Sequence, residues 1–430
     1  MQTMNLDRRR FLVGGVLLGG ALATPAWAKV RTRGVSGAWP AVQAVLDDWV
    51  TATRIPGAAA AIGRGLDQAD FMVAGRIAFG GDAAAVTPDS LFRSYSQTKP
   101  VTGIAAMLLI EDGKLRLDQN IADLIPAFAN PRVLIEPDKS LKSRPSMAPI
   151  TVRNLLTHTA GLGYSIVTKG PLLAAYLENG IVPGQVSRQP LPGLPRAKNA
   201  PSLKEFANRL GTLPLIADPG RRWSYSVSLD LLGRVIEIAS GMPFDTFLNE
   251  RIFKPLGMTS SYFQVPASEM RRLTDNHALI GNFPLPVDKG SDSIYLDKPP
   301  FPFGGAGLVT SPRDWDRFQL MLMGEGALGQ TRIMKRETAV TAMSNLVHPD
   351  TVMESFVKGQ GFGAGGRVTI SKSENGEGIG TYGWGGAAST IGWVDRTNQV
   401  RASGWIQLMT QGEQRFPPEI AKAVYAKAPA

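Results

Sequence analysis

The spacing of apolar residues changes period along the chain, and each change marks an element. Over residues 39–53, Val42, Val45, Leu46 and Trp49 fall on one stripe. This predicts an amphipathic helix, ended by Ile55-Pro56-Gly57. The runs 58–62 and 71–74 are short and apolar and flank a Gly/Asp turn, which predicts a hairpin. Thr87-Pro88-Asp89-Ser90 leads into residues 91–113, where Ile104, Met107, Leu108 and Leu109 predict a helix closed by Gly113. From 115 to 258 the pattern is helical: 150–156, then 203–210 behind a Ser202–Glu205 capping box, then 229–239 before Gly241 and Pro243.

Beyond Ser311, which caps a helix to Met323, the period falls to two. Segments 361–370, 379–384, 390–394 and 400–409 read as consecutive antiparallel strands, and 417–426 as a closing helix. Residues 164–200 and 264–303 are rich in Pro and Gly and read as long loops, walls of a cleft. The ends supply strands and the middle supplies helices. The expected fold class is therefore α+β, an antiparallel sheet flanked by helices with an inserted all-α domain. The sheet domain takes 29–95 and 304–430, and the mainly helical domain takes 96–303. There is no internal repeat.

Composition narrows the class. The chain has 430 residues, 43% hydrophobic and 19% charged, enough for a large core. Its net charge is +10, and removing residues 1–28, with three arginines and one aspartate, leaves +8. The remaining basic residues are scattered, which speaks against nucleic-acid binding. With no cysteine, thiol catalysis and disulfides are excluded. The three histidines, His158, His277 and His348, show no metal-ligand spacing, so no metal is expected. Arg8-Arg9-Arg10-Phe11-Leu12, an apolar run to Leu22 and Ala26-Trp27-Ala28 read as a twin-arginine export signal over 1–28. The expected location is periplasmic or secreted. No later segment approaches the ~20 apolar residues of a membrane span.

The candidate chemistry starts at Ser96-Gln97-Thr98-Lys99. At a helix start, residues three apart share a face, so the Lys99 amine can reach the Ser96 hydroxyl. A serine hydroxyl needs such a base, burial disfavours the ammonium form, and the helix N-terminus favours a developing oxyanion. The bare pattern is common: Ser355-Phe356-Val357-Lys358 repeats it before Gly359, with no helix to hold it. Tyr225, before the 229–239 helix, is either a proton relay to the leaving group or a packing residue. Gly383-Trp384-Gly385-Gly386-Ala387 marks a close approach of backbone or ligand, or a bulge. In the first case, the N–H groups of Ala387 and Ser96 form an oxyanion hole. No Gly-x-Ser-x-Gly elbow occurs, and His158 reads as a structural residue in a helix-ending turn.

Taken together and in order, Ser96-x-x-Lys99, Tyr225-Ser226 and Trp384-Gly385-Gly386 resemble the serine β-lactamase and penicillin-binding-protein superfamily. So do the phrases IPGAAAAI, LTHTAGL, PGRRWSYS, PLGM and GGAGLVTS. The likeness spans about residues 40 to 410 and is greatest to class C β-lactamases and family VIII carboxylesterases. It implies a β-lactamase-like fold with the active site between the two domains. It further implies Ser96 as acylated nucleophile, Lys99 and Tyr225 as the base system, Ser96 and Ala387 as oxyanion donors, and no cofactor. Where the β-lactamases carry Tyr-x-Asn and Lys-Thr-Gly, this chain has Val227 and Trp384 at the variable positions. A substrate wall of Val227, Trp384, Gly385 and Gly386 suits a neutral apolar group and lacks a carboxylate anchor. The expectation is a small-molecule ester as substrate. The alternatives are a β-lactamase or D-amino-acid peptidase acting on β-lactam-like substrates, and a non-catalytic cell-wall- or partner-binding protein.

Overall fold

The computed structural model describes residues 39–52, 54–189, 198–280, 283–354, 356–410 and 414–426. The predicted signal at 1–28, Thr53 and Ser355 lie outside them. The chain opens with α1 (Pro40–Thr51), the hairpin β1 (Gly57–Arg64) and β2 (Asp70–Gly75), and α2 (Lys99–Glu111). The middle holds α3 (Val152–Leu156), α4 (Gly170–Glu178), α5 (Leu203–Gly211) and α6 (Ser228–Ser240). There follow a second hairpin, β3 (Asn276–Ile280) and β4 (Phe283–Asp288), and helix α7 (Pro312–Met323). The last stretch carries β5 (Gln360–Phe362), β6 (Arg367–Thr369), β7 (Tyr382–Gly385), β8 (Ile391–Asp395), β9 (Val400–Trp405), β10 (Leu408–Met409) and α8 (Phe416–Tyr425).

The main sheet has seven strands in the order β5-β6-β7-β8-β9-β1-β2, antiparallel throughout. The N-terminal hairpin joins it through β1 against β9, with Ala60 opposite Gly404. β1 is buried along seven of its eight residues, so it reads as an unbroken apolar run instead of an alternating one. Its two faces serve two cores. Ala58, Ala60 and Ile62 pack with Val42, Leu46 and Trp49 of α1 and with Phe416, Ile420 and Val424 of α8. Ala59 points the other way, into the core built on α2 and α6. The indole N–H of Trp49 donates to Glu419 at 2.6 Å and ties α1 to α8. The result is an α+β architecture, an antiparallel sheet flanked by helices, as expected.

Helix α2 is buried from Lys99 to Leu109, as a helix at the centre of a domain must be. It lies against the turn between β5 and β6: a Cβ on Gly103 would come within 2.0 Å of the Ala364 carbonyl oxygen.

Several segments differ from the sequence reading. The expected loop at 164–200 contains α4, which buries Leu172, Ala175 and Tyr176 on one face. Its Gly170-Pro171 start reads as loop punctuation but is a helix start, where proline is tolerated. The expected loop at 264–303 contains β3 and β4, with β10 pairing parallel to β3. Pro284 and Pro286 disguise β4, and they fit because β4 is an edge strand. The single strand expected over 361–370 is β5 and β6 with a turn at Gly363–Gly366. The one over 400–409 breaks at Ile406-Gln407. The capping box expected at Ser202 is half formed. Ser202 accepts from the Glu205 N–H at 3.1 Å, while the Glu205 carboxylate lies 3.8 Å from Arg209. A reciprocal box occurs instead at Thr151 and Asn154. Among the described residues no helix is long and apolar enough to cross a membrane.

Candidate active site

Ser96 lies on a 3-10 turn, Tyr95–Thr98, that runs directly into α2. The chain before it is pinned: Phe92 pairs with Thr310, and the Ser94 N–H donates to the Leu308 carbonyl at 2.9 Å. Tyr95 takes φ +45°, a left-handed conformation rarely held by a bulky residue. Burial holds it there, and its hydroxyl accepts from Asn276 at 2.9 Å. Beneath it, the fully buried Arg93 is ion-paired with Asp288, Nε to Oδ2 at 2.8 Å, so β4 is locked to the residues that precede Ser96.

Lys99 begins α2, fully buried, and its Nζ lies 3.2 Å from Ser96 Oγ. The same Nζ donates to the Gly305 carbonyl at 2.7 Å. It also sits 4.7 Å from the Tyr225 ring centroid and 5.5 Å from that of Tyr164. One Nζ–H is thus directed at a carbonyl while the Ser96 hydroxyl lies within reach of the same nitrogen. The sequence groups Ser96, Lys99 and Tyr225 as one candidate site, and the structure brings these three side chains together.

Tyr164 is a member that sequence reasoning missed. It is buried, with its ring edge-on to Tyr225 at 5.1 Å and Lys99 Nζ 5.5 Å from its centroid. Burial, with Tyr225 and Asp230 adding to it, pushes the Tyr164 phenol well above its ordinary range and keeps it protonated. The signal was a tyrosine two residues beyond the Leu156–Leu162 phrase, after a helix-ending turn.

Trp384 lies one residue before the end of β7, beside Tyr225 and half-buried, with its indole N–H donated to the Tyr225 hydroxyl at 3.3 Å. The turn after it folds back onto the nucleophile segment. A Cβ on Gly386 would meet the Ser94 carbonyl oxygen at 2.2 Å, so glycine is required for that approach. The turn closes with Gly386 N–H on Thr390 O at 2.8 Å. Ala387 is exposed at its tip, and its N–H is donated to no described residue. Val227, expected on the substrate wall, is instead fully buried in the main core, because the first turn of α6 directs it inward. Trp384 itself packs on Phe356, stacked at 6.1 Å, and on the fully buried Phe362 at 5.2 Å.

None of the three histidines hydrogen-bonds Ser96. His158, at φ +57°, contacts Ser226 Oγ through Nδ1 at 2.9 Å. Ser226 is itself buried and bonded to Ser228 at 2.7 Å, so this Ser–His pair faces no substrate. The His158 ring backs Tyr225 at 4.8 Å. Burial, then the nearby Lys99 charge, hold His158 well below its usual value, hence neutral. Among the described residues no cluster of His, Asp or Glu is arranged to hold a metal ion.

Comparison with known proteins matches the beta-lactamase family model over residues 42–426. Protein Rv1367c of Mycobacterium tuberculosis is 31% identical over 70% of this chain and 73% of its own. The lovastatin esterase of Penicillium rubens is 30% identical over 74% of this chain and 80% of its own. Among solved structures, EstCE1, described as a hydrolase with promiscuous acyltransferase activity, superposes with a TM-score of 0.71. It is 24% identical and covers 90% of this chain and 98% of its own, a likeness of fold. With the match running from α1 to the last helix, this chain belongs to the beta-lactamase family.

Proposed function

We propose that this protein is a serine hydrolase that cleaves carboxylic esters through a Ser96 acyl-enzyme. The observation that carries the reading is the 3.2 Å contact between Lys99 Nζ and Ser96 Oγ, in a buried site floored by two tyrosines. Lys99, as the amine, takes the Ser96 proton while Oγ bonds to the ester carbonyl carbon. The oxyanion is held by the N–H groups of Ser96 and Ala387. Tyr225 gives its proton to the leaving alkoxide and is reprotonated from Lys99. Water then cleaves the acyl-enzyme by the reverse transfers, and the products are an acid and an alcohol. The relatives support a serine hydrolase or acyltransferase, and the esterase among them supports the finer reading.

Trp384 favours esters over β-lactams. It lines the site with an apolar face where the β-lactamases are expected to carry a cationic anchor. The substrate enters a cleft between the sheet domain, 29–95 and 304–430, and the mainly helical domain, 96–303. Export by the 1–28 signal places the enzyme in the periplasm or outside the cell. Exchanging Arg8 and Arg9 for lysine should then leave the protein in the cytoplasmic fraction.

The purified protein should hydrolyse p-nitrophenyl butyrate with a higher kcat/KM than nitrocefin. The opposite order reassigns it as a β-lactamase or peptidase. Failure of a fluorophosphonate probe to label it reassigns it as a non-catalytic binding protein.

A further inference from the structure

Asp230 is a carboxyl group with no evident structural reason to be where it is. It lies in the first turn of α6 and is fully buried beside the main apolar core. An ionisable group there costs several kcal/mol unless a partner compensates it. Its Oδ1 accepts the Gly305 N–H at 2.8 Å, and Oδ2 has no hydrogen-bond partner among the described residues. Gly305 is the residue whose carbonyl receives Lys99 Nζ at 2.7 Å. A Cβ on Gly305 would stand 2.5 Å from Asp230 Oδ2, so the glycine lets the carboxylate close onto this loop. Gly304 repeats the constraint on the other side, with a Cβ 2.5 Å from the Leu229 carbonyl oxygen, and Thr102 of α2 donates to the Gly304 carbonyl at 2.7 Å. The Gly304-Gly305 segment is thus clamped between α2, which carries Lys99, and α6, which carries Asp230.

We propose that Asp230 is the buried counter-charge of Lys99, a positioning residue that holds the lysine through Gly305 and governs when it is an amine. This rests on the reading of Lys99 as the base. The titratable groups facing the pair are Tyr164 and His158 from the segment after α3, and Tyr225 from the segment before α6. His158 is held neutral and Tyr164 protonated, so among the described residues Asp230 is the acidic charge of this cluster near neutral pH. Burial pushes Asp230 up to about 6, and the Lys99 charge pulls it back. The two charges therefore act on each other across Gly305, whose N–H and carbonyl hold one partner each.

The test is Asp230→Asn, which keeps an oxygen acceptor for the Gly305 N–H and removes only the charge. The pH profile of kcat/KM for p-nitrophenyl butyrate should keep its shape, and its acidic limb should move to lower pH by about one unit. Asp230→Glu, which restores the charge, should return the limb toward the wild-type position. A folded Asp230→Asn protein whose limb stays in place, or moves to higher pH, overturns the proposal. A merely structural residue would lower the profile without shifting it. Should Asp230→Asn not fold, the reciprocal measurement decides. Carboxyl-carbon NMR of labelled aspartate should show Asp230 titrating at higher pH in Lys99→Met than in wild type, and an unchanged titration overturns the coupling. The NMR comparison needs no turnover, so it separates failure of this inference from failure of the esterase reading.

Discussion

The indole N–H of Trp384 donates to the hydroxyl oxygen of Tyr225 at 3.3 Å, with the two rings 5.7 Å apart. One side chain near the end of β7 therefore both lines the site and touches the group proposed to protonate the leaving alcohol. A hydrogen bond donated to that oxygen stabilises negative charge developing on it. Selectivity and proton transfer are then linked through Trp384, and two substitutions separate them.

Trp384→Phe keeps an aromatic wall and loses the N–H. At this length the bond is worth at most ~0.5–1.5 kcal/mol, so ester kcat/KM should fall by roughly two- to tenfold. The ester-to-nitrocefin ratio should stay the same. Trp384→Lys adds a cation at a half-exposed position, worth ~0.2–1 kcal/mol toward a substrate carboxylate, and removes apolar surface. Nitrocefin turnover relative to p-nitrophenyl butyrate should therefore rise several-fold. A ratio unmoved by lysine would shift the origin of selectivity to the 164–200 segment.

Lys99→Arg should be nearly as damaging as Lys99→Ala, because a guanidinium cannot give up its proton. Steady-state kinetics on p-nitrophenyl butyrate decides this. Substantial activity in the arginine variant would mean that Lys99 acts as a cation and not as a base.

The two tyrosines should differ sharply. Tyr164 is buried against Tyr225 and Lys99 and is kept protonated, so Tyr164→Phe, which keeps the packed ring, should cost no more than a few-fold in kcat/KM. Tyr225→Phe removes the proton donor and should cost ~10²–10⁴. Equal losses would mean that the relay runs through both hydroxyls.

His277 gives an acid-stability signature. Burial, then the neighbouring Arg93 charge, depress it to about 4. The unfolded chain binds this proton near 6.5, so the contribution of His277 to stability is complete above that pH. It is lost as pH falls through about 4. At one pKa unit per ~1.4 kcal/mol, the whole effect is ~3 kcal/mol. Asp230, shifted upward, acts in the opposite sense and loses stability as pH rises through about 6. His277→Gln should therefore flatten the acidic fall of Tm relative to wild type. Parallel Tm curves for the two proteins would show that His277 titrates normally.

Local pattern makes much of this site legible. Ser96 and Lys99 are three residues apart at a helix start, and the Gly385-Gly386 pair announces a backbone that must approach another, here at Ser94. Hydrophobic period places α1, α2, α6 and the β7–β9 strands. What escapes depends on tertiary context. An aspartate in the first turn of a helix reads as a favourable partner of the helix dipole, and nothing local tells that Asp230 is buried beside Lys99. Val227 follows Tyr225 closely and so reads as cleft wall, but α6 turns it into the core. Pro284 and Pro286 read as loop until β4 is seen to lie at a sheet edge.

The most direct measurement is mass spectrometry of the protein quenched during turnover of a slowly deacylated ester. The acyl mass should appear on the peptide containing Ser96 and be absent from Ser96→Ala, which should retain the wild-type Tm. An acyl group on Ser355, Ser226 or any other residue, or undiminished ester hydrolysis by Ser96→Ala, would contradict Ser96 as the nucleophile.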